Sequence, residues 1–208
     1  NGVEFDLTDD YHDRISLDVR WDYRIYGIKG VKVTRVTPSG KSYDLETLVD
    51  CAEMFNQQLN SPIFVISGLL TNDLIWINKA RKLNNVVLTD WIDKSEIAWL
   101  RKNSYIGIQP YKKSALQGLA NKTFEYLSAG LPILSSLEGE NKKLLLDNKC
   151  GLIYESGNKQ NLYDNIISLL LNKELRDKMS QNSSEVFQKN FSSKIIFERF
   201  KEYLNNFS

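Results

Sequence analysis

The chain has 208 residues, 42% hydrophobic and 25% charged, enough for one large or two small globular domains. Its 27 Lys and Arg against 26 Asp and Glu leave a net charge of +1, without the basic field that gathers nucleic acid or anionic lipid. Cys51 and Cys150 stand isolated, as suits a reducing cytosolic setting, a lone His12 argues against histidine-dependent chemistry, and no apolar run approaches the ~20 residues that cross a bilayer.

After a polar opening segment, residues 1–30, an alternation begins. Residues 31–36 (VKVTRV) are rich in β-branched side chains and predict a strand that stops at Thr37, Pro38, Ser39 and Gly40. Over 43–59, Leu45, Leu48, Val49, Ala52, Met54 and Phe55 recur at helical spacing. Residues 62–67 (PIFVIS) are a short apolar run with Gly68 behind it, the pattern of a buried parallel strand. A helix over 71–83, a strand over 86–89, a helix over 95–102 and a strand over 105–108 follow. Then come a helix from Asn121, a strand over 132–136, a helix over 141–148 and a strand over 152–154. Beyond residue 158 the pattern is all helix, over 162–171, 174–189 and 193–207.

Short strands alternating with helices predict βαβ crossovers. The expected fold is α/β: one Rossmann-like domain, a doubly wound parallel sheet of about six strands with C-terminal helices. Its parts are the opening segment 1–30, an αβ core 31–157 and helices 158–208. Ligands of such a sheet sit beyond the carboxyl ends of the strands, at helix N-termini. Loops 37–42, 68–71, 90–94, 109–121 and 137–140 are therefore where a site is expected.

The first of these loops reads TPSGKS between a strand and a helix, like half of a phosphate-binding P-loop. The full motif needs a glycine where Arg35 stands, although Asp90 after the third strand would mimic an acidic magnesium-holding strand end. A P-loop NTPase and a noncatalytic nucleotide-binding α/β module thus stand as alternative readings of the chain. Gly40, Lys41 and Ser42 at a helix start suit an anion, or else Ser42 is a helix cap and Lys41 is solvated. Trp76, Trp91 and Trp99 are expected in the core or in loop packing, and Phe197, Phe200, Leu204 and Phe207 in core or domain contacts. Lys112, Lys113, Lys142 and Lys143 read as solvated pairs.

The fourth loop says more. Residues 121–134 read NKTFEYLSAGLPIL: a short helix with Phe124, Leu127 and Ala129 on one face, closed by Gly130 and Pro132, running into a strand. Gln117, Gly118, Leu119 and Ala120 lead into it, and backbone N–H groups at Asn121 would face a phosphate. Glu125 lies four residues on, about 6 Å along the axis. That offset is comparable with the step from a diphosphate to its ribose, and a carboxylate can accept both hydroxyls of a diol. The plainer alternative is an i,i+3 salt bridge between Glu125 and Lys122.

The order of these features resembles the C-terminal domain of family 4 glycosyltransferases of the GT-B fold, almost end to end. Asn1, Gly2, Val3, Glu4 and Phe5 are similar to the junction that opens that domain. Residues 42–48 resemble its first helix, and Asp90, Trp91 and Ile92 the loop after its third strand. Residues 121–132 are the most specific stretch, and Cys150, Gly151 and Leu152, then Glu155, Ser156 and Gly157, follow in the same order.

In that family, two glutamates with seven residues between them flank the donor phosphates. The resemblance places the ribose-binding one at Glu125 and puts Gln117, an uncharged departure, where the other would contact the sugar. Lys41 matches a phosphate-binding lysine, while Pro38 stands where an arginine is usual, so that Lys112 or Lys122 would make up the charge. Trp91 and Ile92 would meet the nucleobase through their backbone. Gly40, Gly118, Leu119, Ala120 and Asn121 would line the rest of the donor site, with catalysis resting on Lys41, Gln117 and Glu125. The implied protein is the donor-binding half of a retaining glycosyltransferase of cell-surface polysaccharide assembly. It uses a nucleotide-diphosphate sugar as substrate and needs no metal or other cofactor in this half. Its partner is its own acceptor-binding N-terminal half, which the start at Asn1 without a Met suggests is absent here. The implied setting is cytoplasmic, with any membrane contact made through the missing half, and this piece alone would be inactive.

Overall fold

The structure, a computed structural model, describes residues 32–34, 42–56, 61–67, 75–89 and 92–205. Among them, six strands form one parallel sheet: β1 (Lys32–Thr34), β2 (Ile63–Ser67), β3 (Val86–Thr89), β4 (Ile106–Gln109), β5 (Ile133–Ser135) and β6 (Gly151–Ile153). Their order is β3-β2-β1-β4-β5-β6. The helices are α1 (Leu45–Phe55), α2 (Ile75–Ala80), α3 (Lys94–Lys102), α4 (Asn121–Ser128), α5 (Glu140–Asp147), α6 (Lys159–Leu171), α7 (Lys173–Asn190) and α8 (Ser193–Asn205).

The chain builds outward from β1 to β3, then resumes on the other side of β1 with β4. The helices that follow β1 and β4, α1 and α4, therefore pack on opposite faces, and a crevice is expected at the switch between them. β2 shows how the faces divide. Phe64 and Ile66 enter a core with α1, α2 and α6, whereas Ile63 and Val65 meet Trp99 and Leu100 of α3. β5 does the same, with Leu134 in the first core and Ile133 against Tyr126, Leu145 and Val186 of α4, α5 and α7. Every residue of β2 is buried, as a strand covered on both faces must be. Trp76 and Trp99 are core residues, as expected.

Caps shift several boundaries from the periodicity alone. α1 starts at Leu45 because Asp44, not Ser42, is its N-cap: the Asp44 carboxylate accepts the Thr47 N–H. Asp93 and Glu96 form a reciprocal capping box that starts α3 at Lys94. Asn172 ends α6 and caps α7. α4 closes on Gly130 (φ 64°), with Leu131 N–H on the Tyr126 carbonyl and Gly130 N–H on that of Leu127, the Schellman arrangement. Of the two expectations for α8, core packing is excluded: Phe197, Phe200 and Leu204 are 68%, 57% and 52% exposed, which leaves domain contact, and Phe207 lies outside the described residues. No helix among the described residues is long and apolar enough to cross a membrane.

Candidate functional site

The crevice between β1 and β4 is where a sheet of this strand order places a ligand. Gly40, Lys41 and Trp91, with Pro38 and Asp90, lie outside the described residues. Ile92 is buried beside Trp99 and Leu100, so only its backbone could meet a ligand. The described end of the first loop is tied across the crevice. Tyr43 and Tyr111 form an antiparallel bridge with ring centroids 4.9 Å apart, flanked by Asp44 N–H to Pro110 O and Lys112 N–H to Ser42 O, both 2.8 Å. Burial above all, then the Tyr43 bond and the Glu125 charge, pushes the Tyr111 phenol far above its usual range. Asp44 also accepts the Gly157 N–H at 2.9 Å, joining the start of α1 to the turn after β6.

Behind the β4 and β5 ends lies a buried polar ring that the sequence reading missed. Gln109 donates to Thr123 Oγ1 (2.9 Å), Thr123 donates to Asn141 Oδ1, and Asn141 donates back to Gln109 Oε1 (3.1 Å). Asn141 also reaches Ser135 Oγ at 3.1 Å. All four residues are buried, and a ring that uses its own donors and acceptors escapes the cost of stranded polar groups. It fixes the first turns of α4 and α5 to the strands beneath them. The available signal was a glutamine closing the apolar strand IGIQ. Ser136 adds a clamp, exchanging 2.7 Å bonds with both the N–H and the carbonyl of Tyr111.

Held this way, α4 begins at Ala120, buried and extended (φ −94°, ψ 140°), with no side chain capping it. Alanine is a poor N-cap, so the helix presents backbone N–H groups of Asn121 and Lys122 and the positive end of its dipole to whatever lies in the crevice. Gln117 and Gly118 are exposed and line a cleft of about 750 Å³ with Glu138, Lys142, Tyr154 and Glu155. Leu119 is half-buried above the helix start. Lys112 and Lys113 are solvated on the rim, as expected, while Lys142 bonds Glu138 at 3.0 Å. Tyr154 is buried toward Ser136 but outside hydrogen-bonding geometry, and burial pushes its phenol up.

Glu125 is not on the wall of that cleft. It sits one turn into α4, and both plain and unforeseen partners hold it. Lys122 Nζ lies 2.6 Å from Oε1 and 2.7 Å from Oε2, the i,i+3 pair anticipated from spacing. Arg101 of α3 donates its Nη2 to Oε2 from the other side. The side chains of Arg101, Lys122 and Glu125 are 9%, 15% and 23% exposed, so this is a partly buried cluster and not a surface pair. Arg101 was legible only as a cation placed four residues after Ile97 on the packed side of α3. A second hollow, about 810 Å³, opens between α3, α4, α7 and α8, away from the strand ends. Among the described residues, no three His, Cys, Asp or Glu side chains converge as metal ligands would.

Comparison with known proteins agrees with this architecture. The family model described as "Glycosyl transferases group 1" matches residues 36–186. The C-terminal domain of a glycosyl transferase group 1 family protein (LpcC) from Francisella tularensis is 16% identical with a TM-score of 0.68, over 82% of this chain and 91% of that one. Anabaena Alr3699/HepE, solved with UDP and glucose, is 14% identical with a TM-score of 0.74, over 99% of this chain and 55% of that one. WaaG, a glycosyltransferase involved in lipopolysaccharide biosynthesis, is 14% identical with a TM-score of 0.67, over 94% of this chain and 50% of that one. This chain thus spans about half the length of HepE and WaaG. No curated protein sequence matches it.

Proposed function

Because the chain belongs to the group 1 glycosyltransferases, we propose that it is the donor-binding half of an enzyme that moves a sugar from a nucleoside-diphosphate sugar. The acceptor is a glycan or a lipid-linked sugar of cell-surface polysaccharide assembly, reached with retention at the anomeric carbon. The observation that carries this reading is the side-chain-uncapped start of α4 at the switch between β1 and β4, with Glu125 one turn inside it. A diphosphate there meets backbone N–H groups and a helix dipole, both pre-oriented, and Lys41 brings it a positive charge. As the sugar bond breaks, negative charge grows on the leaving diphosphate, and donors already aimed at it lower the barrier. That compensation needs no metal in this half. Glu125 accepts the ribose hydroxyls, Gln117 and Gly118 orient the sugar, and the backbone of Trp91 and Ile92 meets the base. The acceptor and its groups belong to another domain, so the 208-residue chain alone binds donor without transferring sugar.

The family match takes in residues 37–42, which leaves the half P-loop without separate support. HepE was solved with UDP, which makes a nucleoside diphosphate the natural first probe. Calorimetric titration with UDP, GDP and ADP should find one that binds, and Glu125→Gln should weaken it by about 1.5–3 kcal/mol, the worth of a charged hydrogen bond. Glutamine is the better test than alanine because it keeps the side chain that Arg101 packs against. Unchanged affinity in Glu125→Gln would remove Glu125 from the site.

A further inference from the structure

We propose that Lys122 changes partner when donor binds, leaving Glu125 for the diphosphate while Arg101 stays and holds the carboxylate for the ribose. This rests on the donor-site reading above and concerns how that site tells a nucleoside diphosphate from a nucleoside.

A carboxylate offers about four acceptor positions. Arg101 takes one on Oε2, and Lys122 takes one on each oxygen, so at least three are occupied. A ribose diol donates two hydrogens, and the positions left do not suffice. One cation has to withdraw. Arg101 is the more buried, set in the last turn of α3, and a planar guanidinium keeps a fixed approach. Lys122 is the second residue of α4, in the turn whose N–H groups face the crevice. Its ammonium is compact and rides a flexible stem. It can therefore turn from the carboxylate toward an anion at the helix start without any movement of backbone.

The exchange couples the two ends of the ligand. A nucleoside without phosphate must break the Lys122–Glu125 pair and gives the lysine nothing in return. A nucleoside diphosphate breaks the same pair and supplies the replacement. Lys122 is thus a specificity-determining residue, penalising the ribose alone and favouring it joined to diphosphate.

The test uses the full-length protein, the nucleoside diphosphate that binds best among UDP, GDP and ADP, and its parent nucleoside, each followed by NMR titration into the millimolar range. Lys122→Met keeps the stem and removes the charge. Diphosphate affinity is expected to fall about tenfold or more in this variant, while nucleoside affinity rises. Lys122→Arg, which keeps a cation, should recover most of the diphosphate affinity and guards against misreading a folding defect. Nucleoside affinity that is unchanged or weaker in Lys122→Met overturns the exchange. Failure of the wild-type protein to bind any of the three diphosphates overturns the donor-site reading itself, and the exchange with it.

Discussion

Lys149 adopts φ 50°, the one positive φ outside glycine among the described residues, just past the C-cap of α5. Cys150 N–H reaches the Leu145 carbonyl and Lys149 N–H that of Leu146, the closure that α4 makes with Gly130. A β-carbon in this region costs about 1–2 kcal/mol, part of which glycine returns as unfolded-chain entropy. Lys149→Gly is therefore expected to raise the unfolding free energy by about 1 kcal/mol, read as a higher urea midpoint at unchanged slope. The two helix ends also show what single residues reveal. Gly130 followed by Pro132 announces a stop, whereas nothing in Asn148, Lys149 and Cys150 marks a left-handed turn. The same division runs through the candidate site. The Lys122–Glu125 pair could be read from spacing along one helix, but Arg101 comes from α3, and only the packing of two helices brings it in.

At the scale of elements, α4 is set by what lies under it. A β-carbon on Gly107 of β4 would fall 2.6 Å from ring carbons of Tyr126, so the bare backbone there lets the α4 aromatic lie on the strand. Gly107→Ala should push the helix outward at a cost of about 1–3 kcal/mol. Because the same helix carries Ala120, Lys122 and Glu125, nucleotide affinity should fall with stability, measurable by pairing a denaturant titration with a binding titration. The order and type of elements were legible from alternating periods, since parallel strands covered on both faces read as short apolar runs. Their ends were less so. Asp44, Asp93 and Asn158 cap helices one to four residues from where the apolar pattern begins, and each cap depends on a side chain bonding back to the backbone. The glutamine, threonine and asparagine of the buried ring stand on three separate elements, and no local pattern pairs them.

The whole molecule has an alkaline weakness. Burial pushes the Cys51 thiol up to about 12, with Asp164 and Asp50 adding to it, and burial pushes Cys150 up to about 11. Tyr111 and Tyr154 are raised as well, burial again leading. The folded chain keeps these protons longer than the unfolded one, so their contribution is complete below the ordinary thiol pKa of about 8.5. It is lost as pH rises through the folded values. Urea midpoints should hold steady between about pH 6 and 8 and fall beyond about pH 9. At pH 8 both cysteines should resist a thiol-specific colour reagent until denaturant is added. The face of α8 is the molecule-scale feature that periodicity described only in part. Spacing shows that Phe197, Phe200 and Leu204 share a side of the helix, but burial needs a covering surface, which spacing does not supply.

The ring of Gln109, Thr123 and Asn141 contains no ionisable group. Counter-ions have nothing there to screen, and no proton equilibrium between acid and alkaline extremes can loosen it. The frame that aims α4 is thus electrically silent, while the cluster it carries is not. A dependence of ligand affinity on ionic strength would report the charges of Lys41, Arg101, Lys122 and Glu125, undistorted by any yielding of this ring.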